Sequence, residues 1–251
     1  RPNIVFIMSD DHALEAIGAY GSWLQKYCPT PAIDQLAAEG MRFTNVCCNN
    51  SICSPSRASI LTGQYSHKNG VPNLNGFINQ DSPQLAVELK KAGYQTAVFG
   101  KWHLKSRPMG FDTYKVTRGQ GSWFDPVFYT ESGQWYGRRK RRETVPDEKH
   151  TGYCSDVYTD QALAWLKARD AKKPFCMMLH FKAPHHSYEY PGRWKDYLKD
   201  TLIPEPPSLH EDVEKTSPRL KGVHTWHMIK KNGYFGRHEM DESPPMWPHD
   251  G

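Results

Sequence analysis

The segment NSICSPSRASILTG, residues 50–63, combines a cysteine and an arginine in a pattern that predicts a short helix. Pro55 suits the first helical turn and Gly63 suits the helix end, so Cys53 is predicted at or just before the N-terminus. Unpaired backbone N–H groups and the positive end of the helix dipole favour an anion there. Arg57, four residues on, shares a helix face with Cys53 and can hold an oxyanion with its guanidinium fork. A cysteine in such a place is expected to be reactive.

Three further groups of polar residues follow apolar runs of strand length. They are Asp10 and Asp11 after NIVFIMS, Lys101 and His103 after YQTAVFG, and His185 and His186 in PFCMMLHFKAPHH. In open α/β sheets the binding crevice lies outside the carboxyl ends of the strands, so these groups are expected to converge. At any one strand end, a polar residue can equally be the first residue of a loop. Three such ends together favour a site with carboxylates, a cation and imidazoles.

These residues leave the chemistry of the cysteine open. Cys53 could be the nucleophile of a cysteine hydrolase, with His103 or His185 as its basic partner. The pair Asp10 and Asp11 fits that chemistry poorly, because two carboxylates would repel a thiolate unless a metal ion lay between them.

The elements that must position these residues alternate between strand and helix. Buried strands are predicted in NIVFIMSDD, YQTAVFGKWH and PFCMMLHFKAPHH, from their continuous apolar content. Helices are predicted in TPAIDQLAAEG, from Thr30 to Gly40, in SPQLAVELKKAG, from Ser82 to Gly93, and in SDVYTDQALAWLKARD. This alternation predicts an α/β fold with a mainly parallel sheet.

Composition excludes several classes of protein. The chain has 251 residues, of which 38% are hydrophobic, and this is enough to bury the core of a globular domain. The net charge is +5 and the basic residues are mostly scattered along the chain, which gives little support for a nucleic-acid partner. No run approaches the roughly 20 apolar residues of a membrane span. Six cysteines without a CxxC pair indicate neither a disulfide framework nor zinc.

The segment CSPSRASILTG closely resembles the signature of the type I sulfatases, which belong to the alkaline-phosphatase superfamily. GYQTAVFGKWHL, residues 93–104, resembles the second signature of that family, and NIVFIMSDDH is similar to its first strand. With KAPHH, the resemblance spans residues 3–186. It implies an α/β sandwich around a large mixed, mainly parallel sheet flanked by helices, and hydrolysis of sulfate esters.

The resemblance implies that the thiol of Cys53 is a precursor. In the family, the first cysteine of C-x-P-S-R is converted to formylglycine by a formylglycine-generating or anaerobic sulfatase-maturing enzyme. One hydroxyl of the hydrated aldehyde would attack sulfur, and the other would later expel sulfate. Asp10, Asp11 and the converted Cys53 match the metal ligands of the family, which bind calcium (Ca2+), a hard cation that prefers oxygen.

The other family roles fall on cations and imidazoles. Arg57 and Lys101 match the cations that neutralise the sulfate oxygens and the diol. His185 matches the general acid that protonates the leaving sugar oxygen, and His103 matches the base that collapses the sulfated intermediate. The pattern APHHSYEYP leaves the alignment open by one position, so His186 is the alternative acid.

Family members are usually much longer, and a later segment resembling TSDHG completes their metal site. The closing WPHDG follows polar, Pro-rich residues instead of an apolar run, so we interpret its likeness to that segment as accidental. The chain is interpreted as an amino-terminal part, with an incomplete catalytic domain at residues 1–202 and an irregular polar segment at residues 203–251. Alone it is expected to hold a metal poorly and to turn over poorly, because the carboxylate pair is under-compensated.

The segment PFCMMLHFKAPHHSYEYPGRWKDYLKD resembles sulfatases that remove 6-O-sulfate from N-acetylglucosamine. The implied substrate is a sulfated carbohydrate, of the glycosaminoglycan or mucin type, and the implied location is periplasmic or extracellular. A phosphonate or phosphodiester hydrolase of the same superfamily is one alternative. A non-catalytic fragment that binds sulfated glycans is another, although a binder needs no CxPSR cysteine.

Two other features have two interpretations each. The basic run RRKRR, residues 138–142, could steer a sulfated polysaccharide, but a solvated surface is the favoured interpretation. The aromatic residues of segment 114–136 could line a sugar subsite, and a small satellite core under the loop is favoured.

Overall fold

The computed structural model describes residues 1–133, 135 and 148–206. The compact unit Arg1–Tyr197 contains every element named below, and a second unit, Leu198–Gly251, is described over residues 198–206. The predicted boundary after residue 202 stays a prediction. The basic run at residues 138–142 lies outside the described residues.

The strands of the described chain form one mixed, mostly parallel sheet. Their bounds are β1 Ile4–Met8, β2 Gln95–Lys101, β3 Thr113–Thr117, β4 Val127–Thr130, β5 Glu148–Lys149 and β6 Phe175–His180. The order across the sheet is β1-β6-β2-β3-β4-β5. The first four strands in this order are parallel, while β4 and β5 are antiparallel to their neighbours. The predicted α/β class with a mixed, mainly parallel sheet is confirmed.

Helices precede and follow the parallel strands, as the alternating pattern predicts. Their bounds are α1 Pro31–Glu39, α2 Cys53–Thr62, α3 Ser66–Asn69, α4 Leu85–Lys91 and α5 Cys154–Ala168. Short 3-10 helices cover Leu14–Ala16, Gly18–Tyr20, Trp23–Lys26 and Gly192–Trp194.

The predicted start of α4 at Ser82 was wrong. The helix begins at Leu85, with Gln84 in the N-cap position. The Ser82 hydroxyl donates instead to Oε1 of Gln64 at 2.9 Å, which ties the loop before α4 to the end of α2. A tertiary hydrogen bond has therefore replaced the local capping bond that the sequence suggested.

The core lies on both faces of the sheet, because successive side chains of a strand point to opposite faces. On one face, Val98 of β2 and Met178 of β6 pack with Ala58 of α2 and Ala86 of α4. On the other face, a second cluster joins β2, β6 and α5; it includes Ala97, Phe99, Met177, Leu179, Val157, Tyr158 and Ala162. Coverage of both faces explains why every residue of β6, and every residue of β2 after Gln95, is buried.

The prediction that β1 is fully buried was wrong. Ile4 and Phe6 pack against the cluster that includes Met178, but Val5 and Ile7 on the opposite face are 49% and 56% exposed. The strand lies at the edge of the sheet, and α5 packs on β2 and β6. The described residues therefore cover one face of β1 and leave the other open.

Strands β3, β4 and β5 were missed in the sequence because their apolar signal is weak. The β3 sequence TYKVT alternates polar and apolar residues over five positions, and β5 has two residues, both charged. Pairing with the neighbouring strand defines these elements, and single-sequence patterns do not report such pairing.

The aromatic residues of segment 114–136 pack mainly as a core, in accord with the favoured interpretation. Tyr114 is buried in the cluster beneath α2, and Tyr129 packs edge-to-face on Trp135 with ring centroids 5.7 Å apart. Trp123 stacks on Tyr153 at 6.1 Å. Another aromatic residue of the segment, Tyr136, lies outside the described residues.

Gly100 provides a test of the packing between β2 and β6. Its φ is +98°, and an added Cβ would lie 2.1 Å from the carbonyl oxygen of His180 and 2.9 Å from the Tyr158 ring. We expect Gly100→Ala to lower the free energy of unfolding by more than about 3 kcal/mol, since rigid backbone must move. At Gly21, φ is +81° and nothing lies within 4 Å of the added Cβ, so Gly21→Ala should cost about 1 kcal/mol. Urea denaturation measures both variants, and equal losses would contradict this packing.

Candidate active site

The register of the sheet brings three polar strand ends to the same edge. Met8 of β1 is aligned with His180 of β6, and His180 is aligned with Gly100 of β2. Asp10, Lys101 and Lys182 lie at or just beyond these ends. The backbone N–H of Asp10 donates to the Ala183 carbonyl at 3.0 Å, so the two loops remain paired past their strands. Convergence of the strand ends, which the sequence predicts, is confirmed for Asp10 and Lys101; Lys182 was not predicted.

Helix α2 presents Cys53 as its first residue, as the sequence predicts. The helix ends at Thr62, and Gly63 follows in a left-handed conformation with its N–H bonded to the Ser59 carbonyl at 2.8 Å. Two side chains attach α2 to the segment that follows β2. Ser54 Oγ donates to the His103 carbonyl at 2.5 Å, and Arg57 Nη1 donates to the Lys101 carbonyl at 2.6 Å.

A buried carboxylate joins the cations of the site. Asp10 is 6% exposed, its Oδ1 lies 3.5 Å from Nη2 of Arg57, and its Oδ2 accepts a short hydrogen bond from Nζ of Lys101. Burial alone would raise the pKa of Asp10. The hydrogen bond from Lys101 and the charges of Arg57 and Lys101 outweigh burial, so the pKa lies below its ordinary value. Asp10 is therefore ionised near neutral pH, while burial lowers the pKa of Arg57 and that of Lys101, against the opposing charge of Asp10.

Asp11 and His185 form a second contact at the edge of the site. The His185 ring is 4% exposed, and its Nε2 lies 3.5 Å from Oδ2 of Asp11, whose side chain is 57% exposed. Nδ1 of His185 lies 2.5 Å from the carbonyl oxygen of His186, an acceptor that places the proton on Nδ1. His186 packs against the His185 ring from a partly exposed position. The buried His185 ring thus lies beside a carboxylate of the site.

His103 lies beyond the end of β2 in a left-handed conformation with φ of 49°. Burial, followed by the charges of Lys101 and Arg57, lowers its pKa to about 4. The imidazole is therefore neutral at pH 7. Within the described residues its buried Nδ1 has no hydrogen-bond partner, so this nitrogen is available to accept a proton.

The predicted residues surround two neighbouring cavities. A cavity of about 450 Å³ is lined by Asp10, Asp11, Cys53 and Arg57 among others. Lys101 and His185 join this group through their contacts with the two carboxylates. The His103 ring lines a separate cavity of about 460 Å³, together with Asn75, Lys105, Arg118 and Tyr129 among others. The predicted residues thus lie in one region of the structure, but His103 lines a different cavity from Asp10, Asp11, Cys53 and Arg57.

The carboxylates fit part of a calcium site. Oxygen ligands suit Ca2+, which takes roughly six to eight of them. Asp10 and Asp11 open onto the same cavity as Cys53, as a metal shared by these three residues requires. In residues 1–133, 135 and 148–206, no cluster of three or more His, Cys, Asp or Glu side chains is arranged to hold a metal ion. The described chain therefore supplies a minority of the oxygen ligands that a calcium ion needs.

Two residues near Lys101 were missed in the sequence. Gln120 accepts a hydrogen bond from Nζ of Lys101 at its Oε1, at 2.5 Å. Lys182 is buried, and its Nζ donates to the Gln120 carbonyl at 3.1 Å. The position of Lys182 between β6 and His185 was a usable signal. Gln120, in a loop after β3, offered none.

The family model named Sulfatase matches residues 2–203. The chain belongs to the sulfatase family. The family generally uses Ca2+ and formylglycine.

The chain is similar to sulfatases that act on aminosugars. It is 41% identical over 220 residues to an N-acetylglucosamine-6-O-sulfatase of Bacteroides thetaiotaomicron, covering 85% of this chain and 36% of that protein. It is 31% identical over 218 residues to the human N-acetylgalactosamine-6-sulfatase, covering 73% of this chain and 40% of the human enzyme. This sulfatase chain thus spans well under half the length of these relatives.

A solved structure shares the fold and part of the sequence. It is described as a complex with its substrate D-glucosamine-2-N,6-O-disulfate, and it aligns with a TM-score of 0.75 and 40% identity. The match covers 84% of this chain and 40% of the solved one. This likeness confirms the sulfatase fold, with helices on a mixed, mostly parallel sheet.

His180 makes the stability of the site dependent on pH. The side chain is 1% exposed at the end of β6, and burial with the charge of Arg57 holds its pKa far below its ordinary value. A lowered pKa in the folded state means that the unfolded state binds the proton first as pH falls. The free energy of unfolding therefore decreases as pH falls below about 6.5.

We expect His180→Leu to reduce this acid sensitivity. The loss of unfolding free energy between about pH 7.5 and pH 5.5 should shrink by about 1.4 kcal/mol relative to the unmodified protein. His67→Leu is the matched control, because His67 lies on the short helix α3 and stacks on the exposed Tyr65. Urea denaturation at the two pH values gives the comparison. An unchanged pH dependence in His180→Leu would show that another group causes the acid sensitivity.

Proposed function

We propose that the protein hydrolyses sulfate esters of carbohydrates with a formylglycine made from Cys53. One observation carries the proposal: Cys53 begins α2 and opens onto the same cavity as Asp10, Asp11 and Arg57. This arrangement combines a convertible cysteine, a cation for the sulfate oxygens and oxygen ligands for a metal ion. The similarity to an N-acetylglucosamine-6-O-sulfatase supports the same reaction class.

Arg57 and Lys101 are the residues that bind the sulfate group. Each is almost fully buried, and each is held by Asp10 on one side. Buried, pre-positioned cations stabilise the charge that develops on sulfate oxygens, because they need little reorganisation during the reaction. A helix N-terminus at Cys53 adds backbone N–H groups of the same polarity.

His185 and His103 divide the proton transfers. His185 is the general acid for the leaving sugar oxygen, with Nδ1 held by the His186 carbonyl and Nε2 directed towards the carboxylate of Asp11. His103 is the base, because its pKa of about 4 leaves the ring neutral and able to accept a proton. The two imidazoles belong to different loops, which follow β6 and β2.

The proposed reaction also needs a metal ion and a modified residue 53. Asp10, Asp11 and converted residue 53 would hold Ca2+, which supplies positive charge beside the sulfate and offsets the two carboxylates. Formylglycine, produced by a separate maturing enzyme, supplies a hydrated aldehyde as the nucleophile. The residues of this chain bind and orient the sulfate group, protonate the leaving sugar oxygen and accept a proton on His103.

We infer a sulfated glycan containing 6-O-sulfated glucosamine units as the substrate. Similarity to the Bacteroides thetaiotaomicron enzyme and to the glucosamine disulfate complex supports this assignment. We also infer a periplasmic or extracellular location, where such polymers are encountered. In the described residues, no helix combines the length and apolarity needed to cross a bilayer.

The first test is the chemical state of residue 53. In protein produced with its natural maturing enzyme, mass spectrometry should find an aldehyde at Cys53 and an unmodified thiol at Cys28, a partly buried cysteine outside the signature. Activity on sulfated glucosamine should accompany the aldehyde, and Cys53→Ala should abolish it, because the nucleophile is removed.

Substrate comparison separates the reaction classes. The kcat/KM for an aryl sulfate should exceed the kcat/KM for an aryl phosphonate monoester, and the reverse order would identify a phosphonate hydrolase. A plain thiol at residue 53, with binding of sulfated sugar and no turnover, would instead support the glycan-binding alternative.

A second test distinguishes His185 from His186 as the acid. We expect His185→Ala to lower kcat on a sulfated sugar by about 100-fold or more, since the sugar alkoxide is a poor leaving group that needs a proton. The loss should be much smaller on an aryl sulfate, whose phenolate leaves without help. His186→Ala is the matched control and should retain activity on both substrates. A larger, leaving-group-dependent loss in His186→Ala would transfer the role to that residue.

A further inference from the structure

Lys182 is a buried cation whose partners are neutral. The residue is 4% exposed, and its Nζ donates to the Gln120 carbonyl and lies 4.8 Å from the centroid of the Trp123 ring. Within the described residues, no carboxylate forms an ion pair with it. Burial of an ammonium group is costly unless a partner offsets it, so a purely structural role would favour an apolar side chain of similar length.

The partners of Lys182 connect it to Lys101. Gln120 accepts from Lys182 with its backbone carbonyl and from Lys101 with its side-chain Oε1. One loop residue thus fixes two ammonium groups at once. The acceptor on Lys101 is a neutral amide, so Gln120 orients the ammonium group without cancelling its charge. Asp10 also holds this Nζ, but its carboxylate compensates the positive charge of Lys101.

The electrostatic balance of the site points to an anion. Three buried cations, Arg57, Lys101 and Lys182, accompany two carboxylates, Asp10 and Asp11. Lys182 belongs to this group, because its Nζ and the Nζ of Lys101 bond the same residue, Gln120. The excess of positive charge in the described site suits a sulfate ester, which carries one negative charge.

We propose that Lys182 is a positioning residue, which acts through Gln120 to hold the Lys101 ammonium group in place for the sulfate of the substrate. The inference rests on the proposed function, since it assigns Lys182 to the same sulfate site. Without Lys182, the loop that carries Gln120 loses its anchor at the Gln120 carbonyl, and Lys101 is held by Asp10 alone. Lys101 would then move towards the carboxylates and away from the sulfate oxygens.

The test compares the kinetics of variants at Lys182 and Gln120 with those of a control lysine variant. We expect Lys182→Met to lower kcat/KM on the sulfated sugar by about 10- to 100-fold, with a raised KM as well as a lowered kcat, because a misplaced Lys101 holds the sulfate group less well both before and during the reaction. Lys182→Arg should recover part of the loss, because it keeps a donor for the Gln120 carbonyl. Gln120→Leu, which removes the side-chain acceptor, should reproduce the defect. Lys115→Met is the control. Lys115 lies on β3 and pairs with Glu148 of β5, so this variant should keep full activity.

A double-mutant cycle separates positioning from general structural damage. If Lys182 acts through Lys101, Lys182→Met should cause little further loss in a Lys101→Met background. Full additivity of the two losses would overturn the proposal. So would a kcat/KM within about twofold of the unmodified enzyme in both Lys182→Met and Gln120→Leu. If Lys182→Met fails to fold, Lys182→Arg and Gln120→Leu carry the same test.

Binding of inorganic sulfate provides a readout that does not need turnover. In a Cys53→Ser background, calorimetry should show about tenfold weaker sulfate binding after Lys182→Met or Gln120→Leu, and no change after Lys115→Met. Equal binding in all these variants would overturn the role of Lys182. If the protein without substitutions carries the aldehyde but cleaves no sulfate ester, the proposed function is overturned instead. In that case the sulfate affinities alone decide whether Lys182 and Gln120 shape an anion site.

Discussion

The carboxylate of Asp10, buried between Arg57 and Lys101, joins the parts of the molecule that make the site. Asp10 follows β1, Arg57 lies in α2 and Lys101 ends β2, so one anion connects two strands and the helix that presents Cys53. Two buried cations beside the helix N-terminus would repel each other without it. The negative charge of Asp10 compensates both cations and lets positive charge accumulate at the edge of the sheet, where charged side chains would otherwise be too costly to bury.

The sheet supplies the precision that this interaction needs. Parallel pairing aligns the ends of β1, β6 and β2, and the following residues therefore leave the sheet at the same edge. Close packing at Gly100 admits the His180 carbonyl where any Cβ would clash. Hydrogen bonds from Ser54 and Arg57 to the segment after β2 then fix the helix relative to this edge. Positions of catalytic groups follow from backbone geometry, and their charges follow from their neighbours.

The extent to which sequence anticipated this arrangement depended on the range of the interaction. Local signals sufficed for α2, where Gly63 marks the end, and for the apolar runs that became β2 and β6. They failed where a partner decides the outcome. Val5 and Ile7 are exposed because, among the described residues, α5 packs on β2 and β6 and leaves this face of β1 open, and no pattern within β1 reports that coverage. Gln120 meets Lys101 and Lys182 across separations of 19 and 62 residues, and neither contact has a signature in the chain.

The three cations of the site are held by partners of decreasing charge, and this order has a chemical consequence. Asp10 lies nearest to Arg57 and Lys101, Gln120 offers Lys101 a neutral amide oxygen, and Lys182 has a carbonyl and an aromatic ring. Compensation is therefore stronger at Lys101 and Arg57, which both contact Asp10, than at Lys182. An anion that enters the site encounters cations already desolvated by the fold and incompletely neutralised by it. Its binding relieves part of the cost of burying them, so the same charges that weaken the empty fold would strengthen a complex with the sulfate ester proposed as substrate.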